Sequence, residues 1–549
     1  MTRNSKININ ANSVLENLIQ LILFTIVGSV LIQTIIYFLG FKLTIVSFIL
    51  PFFVYPIYQI YIAKKRRISI PDLLIAYLLY LLVVFILLTY FSNFIEHSYD
   101  GNMYHGETMV QLLWGWNPIY DKDLHFYTYA TQWSVLYPKL TWIYGALWLK
   151  LTDMSSSAMI MNSLIAIIVS LKTYLFASKH LKNKIYGLIL AIIVLVNPIF
   201  IEQIHTFYVD AMIGNLTLLL LIYNLEYTEE FSLSSLINIA FISIILINVK
   251  FTGFVFAGLI DLGAFIYLLV KHKKQALHYF LNGIYLLIIG VVIIGFSPYM
   301  NNIINLRHIF FPLMGKDKWD IISFLIPEQI INLRPYDRFI YSLSMGKSIR
   351  ENLSYFGEYG YLHYDQRIGG FGGHFLKLLV ISSSIIGVYV LSSIKKIKLN
   401  FLLIISMFFI TIIANYQNIW WARYAPQLWF IIPVAMFALI IKARNIYIHL
   451  PILIIISYLV LFQSIDIYKN TLDMDLTVTK EIKSVYETLR KEDDLTLFIN
   501  TNNRNLFSVF EEYRSIEHGL DIKKIIIEEP NALYTCYRVD NYHICSVRE

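Results

Sequence analysis

Apolar residues in this chain come in long unbroken blocks separated by short polar stretches, with little of the alternation that marks half-buried strands. A bilayer core takes roughly 20 apolar residues per helix, and only a backbone that closes its own hydrogen bonds survives there. Blocks of that kind fall at residues 14–40, 42–62, 71–92, 156–178, 185–201, 209–225, 234–249, 252–270, 279–297, 374–393, 399–415, 424–441 and 446–465. The pattern predicts an all-α polytopic membrane protein with about 13 transmembrane helices. The first block is too long, and lacks the small-residue cleavage site, for a removable signal peptide.

Basic residues in the short connections set the orientation. They cluster at Lys64–Arg67, Lys179–Lys184, Lys271–Lys274, Lys395–Lys398 and Lys442–Arg444. With thirteen spans and a cytoplasmic N-terminus, all five clusters fall on the cytoplasmic side. The expected location is the cell (inner or plasma) membrane. Composition agrees: 57% of residues are hydrophobic, and the formal charge of +7 is mostly topological. That charge does not point to nucleic acid. From Asp466 onward the chain carries 11 Lys and Arg against 16 Asp and Glu. The tail is thus acidic while the remainder is basic, which predicts a separate extracytoplasmic domain.

The expected organisation is a transmembrane pair (1–70), a transmembrane core (71–297) whose first external loop spans 93–155, a large external loop (298–373), further transmembrane helices (374–465) and the tail (466–549). Within the first loop, Tyr137–Trp148 mixes Trp and Tyr with aliphatics and predicts an amphipathic helix in the outer interface. The large loop is rich in aromatics, among them Tyr355, Phe356, Tyr359, Tyr361 and Tyr364, which argues against disorder. In the tail, residues 477–491 have helical character. Leu495–Ile499, Lys523–Glu529, Leu533–Arg538 and Tyr542–Val547 read as strands, giving a small α/β domain. The only cysteines, Cys536 and Cys545, flank the last turn. A disulfide outside the cytoplasm and two unrelated thiols fit that placement equally.

Carboxylates at the edge of a bilayer are costly and are rarely kept without a polar cavity or a function. Asp100 and Glu107 stand in the first external loop and Asp210 at the end of the second. Two carboxylates converging on one cavity suit general-base chemistry, or can share a divalent cation through oxygen ligands. The plainer reading of Asp210 is a helix cap, and the two weigh about equally. Lys139, Lys250, Arg307 and Arg423 lie near the same face, against the usual charge bias. Cations at that depth are well placed to bind lipid phosphates; snorkelling to water is the favoured reading of any single one, but four on this side are harder to explain that way. Tyr104, Trp114, Trp116, Tyr129 and Trp133 are available to stack on sugar rings or to anchor the interface.

A span, an external loop opening with Asp100, an aromatic helix beginning Pro138-Lys139 and a second acidic loop ending in Asp210 together resemble the integral-membrane glycosyltransferases of the GT-C fold. That family includes lipid A aminoarabinose transferases and protein O-mannosyltransferases. The likeness covers mainly residues 71–300, and rests on order and placement. Two spans precede the one matching the family's first helix, and Asp100 stands alone where some relatives carry an acidic pair. The resemblance implies a GT-C-like core, a polyprenyl-phosphate sugar as donor, and a glycan, lipid or protein acceptor. It implies Asp100 as base with Asp210 as second acid, and donor phosphate held by some of Lys139, Lys250, Arg307 and Arg423. His105, Glu107 and Arg367 are expected to contact substrate. No cofactor is required beyond a possible divalent cation.

Three rival readings remain. An O-antigen polymerase or ligase would rely on Arg307, His308, Arg367 and His374. A transporter or flippase would place charges mid-span. A structural scaffold would have no use for the glycine-rich loop. No Walker or GxGxxG element occurs in the cytoplasmic loops, which favours a lipid-linked donor over a soluble nucleotide sugar.

Overall fold

The computed structural model describes all residues except 1–8, 64–68, 122–123, 125–130, 306, 321–322, 346–363, 394–398, 444, 493, 499–508, 527–533, 540–541 and 548–549. The basic clusters Lys64–Arg67 and Lys395–Lys398, and Tyr129, Tyr355, Phe356, Tyr359 and Tyr361, lie outside the described residues.

Among the described residues, seven helices are long and apolar enough to cross a membrane: Ala11–Phe38, Ile70–Phe91, Ser155–Leu181, Phe251–Lys271, Lys273–Ile294, Phe375–Ser392 and Ile446–Leu489. Val46–Gln59, Lys184–Leu195, Leu233–Val249 and Pro426–Lys442 are apolar but shorter. The remaining expected blocks, 209–225 and 399–415, fall on the helices Asp210–Glu229 and Leu399–Ala414. Every expected block is therefore helical, but only seven meet the length and hydropathy of a span. The outer surface matches that character. On Ile70–Phe91 alone, Leu74, Leu78, Leu81, Leu82, Phe85 and Ile86 are exposed, a stripe that water would not tolerate over such an area.

Charged groups between these helices are held by polar partners, as an apolar surround requires. Asp261 accepts from Asn224 Nδ2 at 3.1 Å, Ser243 Oγ at 2.8 Å and Tyr279 OH at 2.9 Å. Lys172 is held between Glu16 at 2.5 Å and Glu226 at 2.7 Å.

The aromatic helix of the first loop, Leu140–Thr152, departs from its expected setting. Leu140 and every residue from Trp142 to Leu149 are buried, so protein covers the helix where an exposed apolar face was expected. Its low amphipathicity explains this: a helix apolar on all sides is stable only when covered on all sides.

The tail is built as expected, with one difference at its start. The helix Ile446–Leu489 runs unbroken through residue 466, so span and tail share one rod. Beyond it come β1 (Leu495–Phe498), the helix Val509–Glu517, β2 (Ile522–Ile526), β3 (Tyr534–Val539) and β4 (Tyr542–Val547). The sheet order is β2-β1-β4-β3, with β1 parallel to β2 and the other pairs antiparallel. In the β3–β4 hairpin Cys536 faces Cys545, and the two form a disulfide.

The tail docks onto the first loop through buried polar contacts. Arg514 is fully buried, pairs with Glu511 and donates to the Glu96 carbonyl. Tyr486 of the long helix donates to Glu511 at 2.7 Å. Phe510 lies against Gly106, where an added Cβ would sit 2.5 Å from the ring.

Candidate active site

The site forms where several helices end on one side of the bundle. Asp100 follows Ile70–Phe91 and precedes a π-helical turn, Gly101–His105. Such turns are rare and recur at functional sites. Gly101 is required there, since a Cβ would lie 2.2 Å from Glu96 Oε1 and 2.5 Å from Ser98 Oγ. Asp210 is the first residue of its helix, and Lys250 links Leu233–Val249 to Phe251–Lys271. Arg423 lies in the turn Ala422–Tyr424, ahead of Ile431–Lys442.

Arg423 is the centre. Its Nη1 donates to Asp100 Oδ2 at 3.0 Å and to Asp365 Oδ1 at 2.6 Å, and its Nε stands 3.8 Å from Asp210 Oδ2. Lys250 Nζ reaches Asp210 Oδ1 at 2.6 Å, and Arg367 Nε reaches Asp365 Oδ2 at 2.8 Å. Three carboxylates and three cations thus balance in one buried cluster. Aromatic faces pack round it: Arg423 lies 4.9 Å from both the Tyr208 and Trp421 rings, and Lys250 4.8 Å from Tyr424. The glycine-rich segment makes the approach possible, because a Cβ on Gly370 would sit 2.5 Å from that of Ala422.

The electrostatics follow from burial. Desolvation raises the Asp100 carboxyl above its ordinary value, and Arg423 pulls against that rise. Burial lowers Lys250, but the Asp210 carboxylate outweighs it and leaves the amine raised. Burial also opposes the charge on Arg423, yet the carboxylates of Asp365, Asp100 and Asp210 hold it firmly protonated. The Arg423 Nε–H is buried with no hydrogen-bond partner, so the guanidinium keeps one donor free.

Asp210 is not a cap. Its helix has no side-chain cap from its N-cap residue, and the Ala211 amide donates instead to Gln203 Oε1 at 3.1 Å. That frees the Asp210 carboxylate for Lys250.

Four expected residues are engaged elsewhere. Lys139 donates to the carbonyls of Val135 at 2.9 Å and Tyr137 at 2.8 Å, and burial pushes its amine well down. Among the described residues no carboxylate pairs with it. Arg307 is exposed, stacked 4.8 Å from the Phe311 ring. Glu107 accepts from Gln111 at 2.9 Å and from the Val509 amide at 2.7 Å, anchoring the N-terminus of the tail helix, where the dipole favours an acid. His105 accepts from Trp142 Nε1 at 2.7 Å and lines a small neighbouring cavity. Sequence placement could not separate these four from Lys250 and Arg423.

Two groups were missed. Asp365 sits two residues before Arg367, and an acid bordering the glycine-rich run is a signal that could have been read. The second group surrounds Asp475 on the long helix. Its carboxylate bonds to His205 Nδ1 and Tyr364 OH, with His97 Nε2 at 3.7 Å. Tyr364 OH lies 2.6 Å from His97 Nε2, and Tyr90 OH lies 2.7 Å from His205 Nε2. This network ties the first two loops and the segment beside Asp365 to the long helix, and so positions the cluster. No pattern in the sequence marks it.

Among the described residues, no group of three or more His, Cys, Asp or Glu side chains is arranged to hold a metal ion. The site carboxylates turn to Arg423, Lys250 and Arg367. No protein-family model matches the chain, and no curated protein matches it either. Fold and site together define a helical protein with seven helices long and apolar enough to cross a membrane among its described residues, and a buried cluster of three acids and three cations at their ends.

Proposed function

We propose that the chain is a membrane glycosyltransferase of GT-C-like architecture. It moves a sugar from a polyprenyl-phosphate donor to a glycan, lipid or protein acceptor at the outer face of the membrane. The reading takes all thirteen apolar blocks as spans, with the N-terminus cytoplasmic and the tail outside. The observation that carries it is the meeting of Asp100 and Asp210, from separate loops, on Arg423 beside Lys250.

The chemistry asks little more than those residues. Asp100 accepts the proton of an acceptor hydroxyl as its oxygen forms the new bond to the anomeric carbon. The anomeric C–O bond to phosphate breaks on the opposite face, so configuration inverts. A phosphate with a second pKa of about 6 leaves without a strong general acid. The free Nε–H of Arg423 and the amine of Lys250 stand ready for its oxygens. Burial raises the pKa of Asp100 toward that of an effective base at neutral pH, where such a group contributes about 10²–10⁴-fold.

The polymerase or ligase reading draws less support. Of Arg307, His308, Arg367 and His374, Arg367 is the one paired to a cluster carboxylate among the described residues. The test is sugar transfer by the purified, reconstituted protein from a panel of polyprenyl-phosphate sugars. Wild type should turn over, and folded Asp100→Asn should lose about 10²-fold or more. Undiminished turnover in the variant removes Asp100 as base, and no turnover with any donor removes the transferase reading.

A further inference from the structure

The large external loop carries a short amphipathic helix, Pro335–Ser344, whose apolar side is exposed. Its residues fall on three faces, as the helical repeat sorts them. Ser342 and Leu343 are buried, and Ser342 Oγ accepts from the Gly369 amide at 3.2 Å. Tyr336 and Ile340, one turn apart, are 62% and 40% exposed. Asp337 and Ser344 lie further round on the polar side. Ser344 is exposed, and Asp337 pairs with the exposed Arg334 at 2.7 Å.

The surroundings of the apolar side point to lipid. The helix packs against Phe375–Ser392, which is long and apolar enough to cross a membrane. Arg334 stands within electrostatic reach of Tyr416. Tyr416 follows Ile412 and Ile413 of the apolar helix Leu399–Ala414, and all three are exposed. The patch is therefore continuous with surface that suits a bilayer. Ile331, exposed in the preceding turn, extends it, and Arg338 joins the two turns by donating to the carbonyls of Ile330 at 3.0 Å and Ile331 at 2.7 Å. The residue types also fit a bilayer edge. Tyrosine prefers the head-group level, and an arginine there meets lipid phosphate.

We propose that the apolar side of Pro335–Ser344 rests in the membrane, at the head-group level of the leaflet on the same side as the charge cluster. Tyr336, Ile340 and Ile331 face the lipid, while Asp337 and Ser344 face water. An interfacial helix thus stands in the large loop, and not at Tyr137–Trp148, which protein covers. Its inner side bears on the site. The same segment packs over Trp420 and Trp421, and Trp421 lies 4.9 Å from Arg423 and 5.1 Å from Arg367. Lipid contact therefore holds the cover of the cluster at the edge of the bilayer. That a lipid-linked donor arrives by this edge rests on the transferase reading; the helix's contact with lipid does not.

Single added cysteines, labelled with nitrobenzoxadiazole in the full chain, test the placement in nanodiscs of phosphatidylcholine and phosphatidylglycerol. Cys536 and Cys545 are joined in a disulfide, so the added cysteine is the reactive thiol. Labels on Ile340→Cys and Tyr336→Cys should emit at shorter wavelength than one on Ser344→Cys. Nitroxide on the lipid should quench the first two, and iodide in the water should quench the third. All three positions are exposed, so the substitutions leave the core packing untouched. Equal iodide quenching of all three labels overturns the proposal. Shielding of the first two from both quenchers also overturns it, and assigns the patch to a second copy of the chain. Turnover of polyprenyl-phosphate sugars in the same nanodiscs separates the two claims. Lipid quenching without turnover of any donor keeps the interfacial helix and removes the transferase. Turnover with iodide quenching of all three labels does the reverse.

Discussion

Replacing Arg423 with glutamine tests the charge cluster without presupposing the reaction. At an effective dielectric of about 20, unit charges about 3 Å apart attract by about 5–6 kcal/mol. Arg423 makes contacts of 3.0 Å with Asp100, 2.6 Å with Asp365 and 3.8 Å with Asp210. Those gross attractions are offset by the several kcal/mol needed to bury each ion. In the variant an orphaned carboxylate escapes by taking up a proton. That uptake is itself a cost, about 1.4 kcal/mol for each pH unit over which the proton must be held. The expected loss is therefore about 3–5 kcal/mol, the range found when one partner leaves a buried pair. An acid with a raised folded-state pKa binds its proton first in the folded protein, so acidification favours the folded variant. Between pH 7 and pH 5 the loss should shrink by about 2–3 kcal/mol. Reversible unfolding by SDS titration from mild detergent, followed by tryptophan fluorescence at both pH values, measures it. Adding Asp100→Asn to the variant should recover about 1–3 kcal/mol, since the two sites couple. A loss below about 1 kcal/mol at pH 7, or one equally large at pH 5, refutes the ion cluster.

Two further tests address the loop and the tail. Burial raises the Glu96 carboxyl to about 8, against the lowering effect of its bonds from Ser98. The folded protein thus keeps a proton that the unfolded chain releases above about pH 4.5, and stability falls by about 1.4 kcal/mol per pH unit from there to about pH 8. Glu96→Gln should remove that slope, gaining on wild type as pH rises from 5 to 8; parallel unfolding curves would contradict the assignment. Arg514→Met leaves Glu511 buried without its cation, which costs about 3–5 kcal/mol locally. Hydrogen exchange should accelerate in Val509–Glu517 while the Asp210–Glu229 helix keeps its protection. Unchanged exchange in the tail helix would show that Arg514 does not hold the dock.

The sequence by itself determined that the chain is helical, apolar over most of its length and closed by a small mixed domain. Those features are local: a block of apolar residues must shield its own backbone, and strand-forming runs separated by turns pair with their neighbours. The strands near 495, 523, 534 and 542, and the juxtaposition of Cys536 with Cys545, were legible for that reason. Scarcity also spoke. Acids at helix ends are few, so Asp100 and Asp210 stood out before any contact was known. What only the tertiary structure decided is which charges meet. Lys139 and Lys250 look alike along the chain, yet one donates to backbone carbonyls and the other to Asp210. Asp475 carries no local mark and bonds to Tyr364 and His205, 111 and 270 residues away, while Asp365, marked only by the glycine-rich run beside it, meets Arg423 58 residues on. The helix Leu140–Thr152 likewise took its depth from what covers it. Partner choice across such separations depends on packing geometry, and a pattern of residue types along the chain carries no record of it.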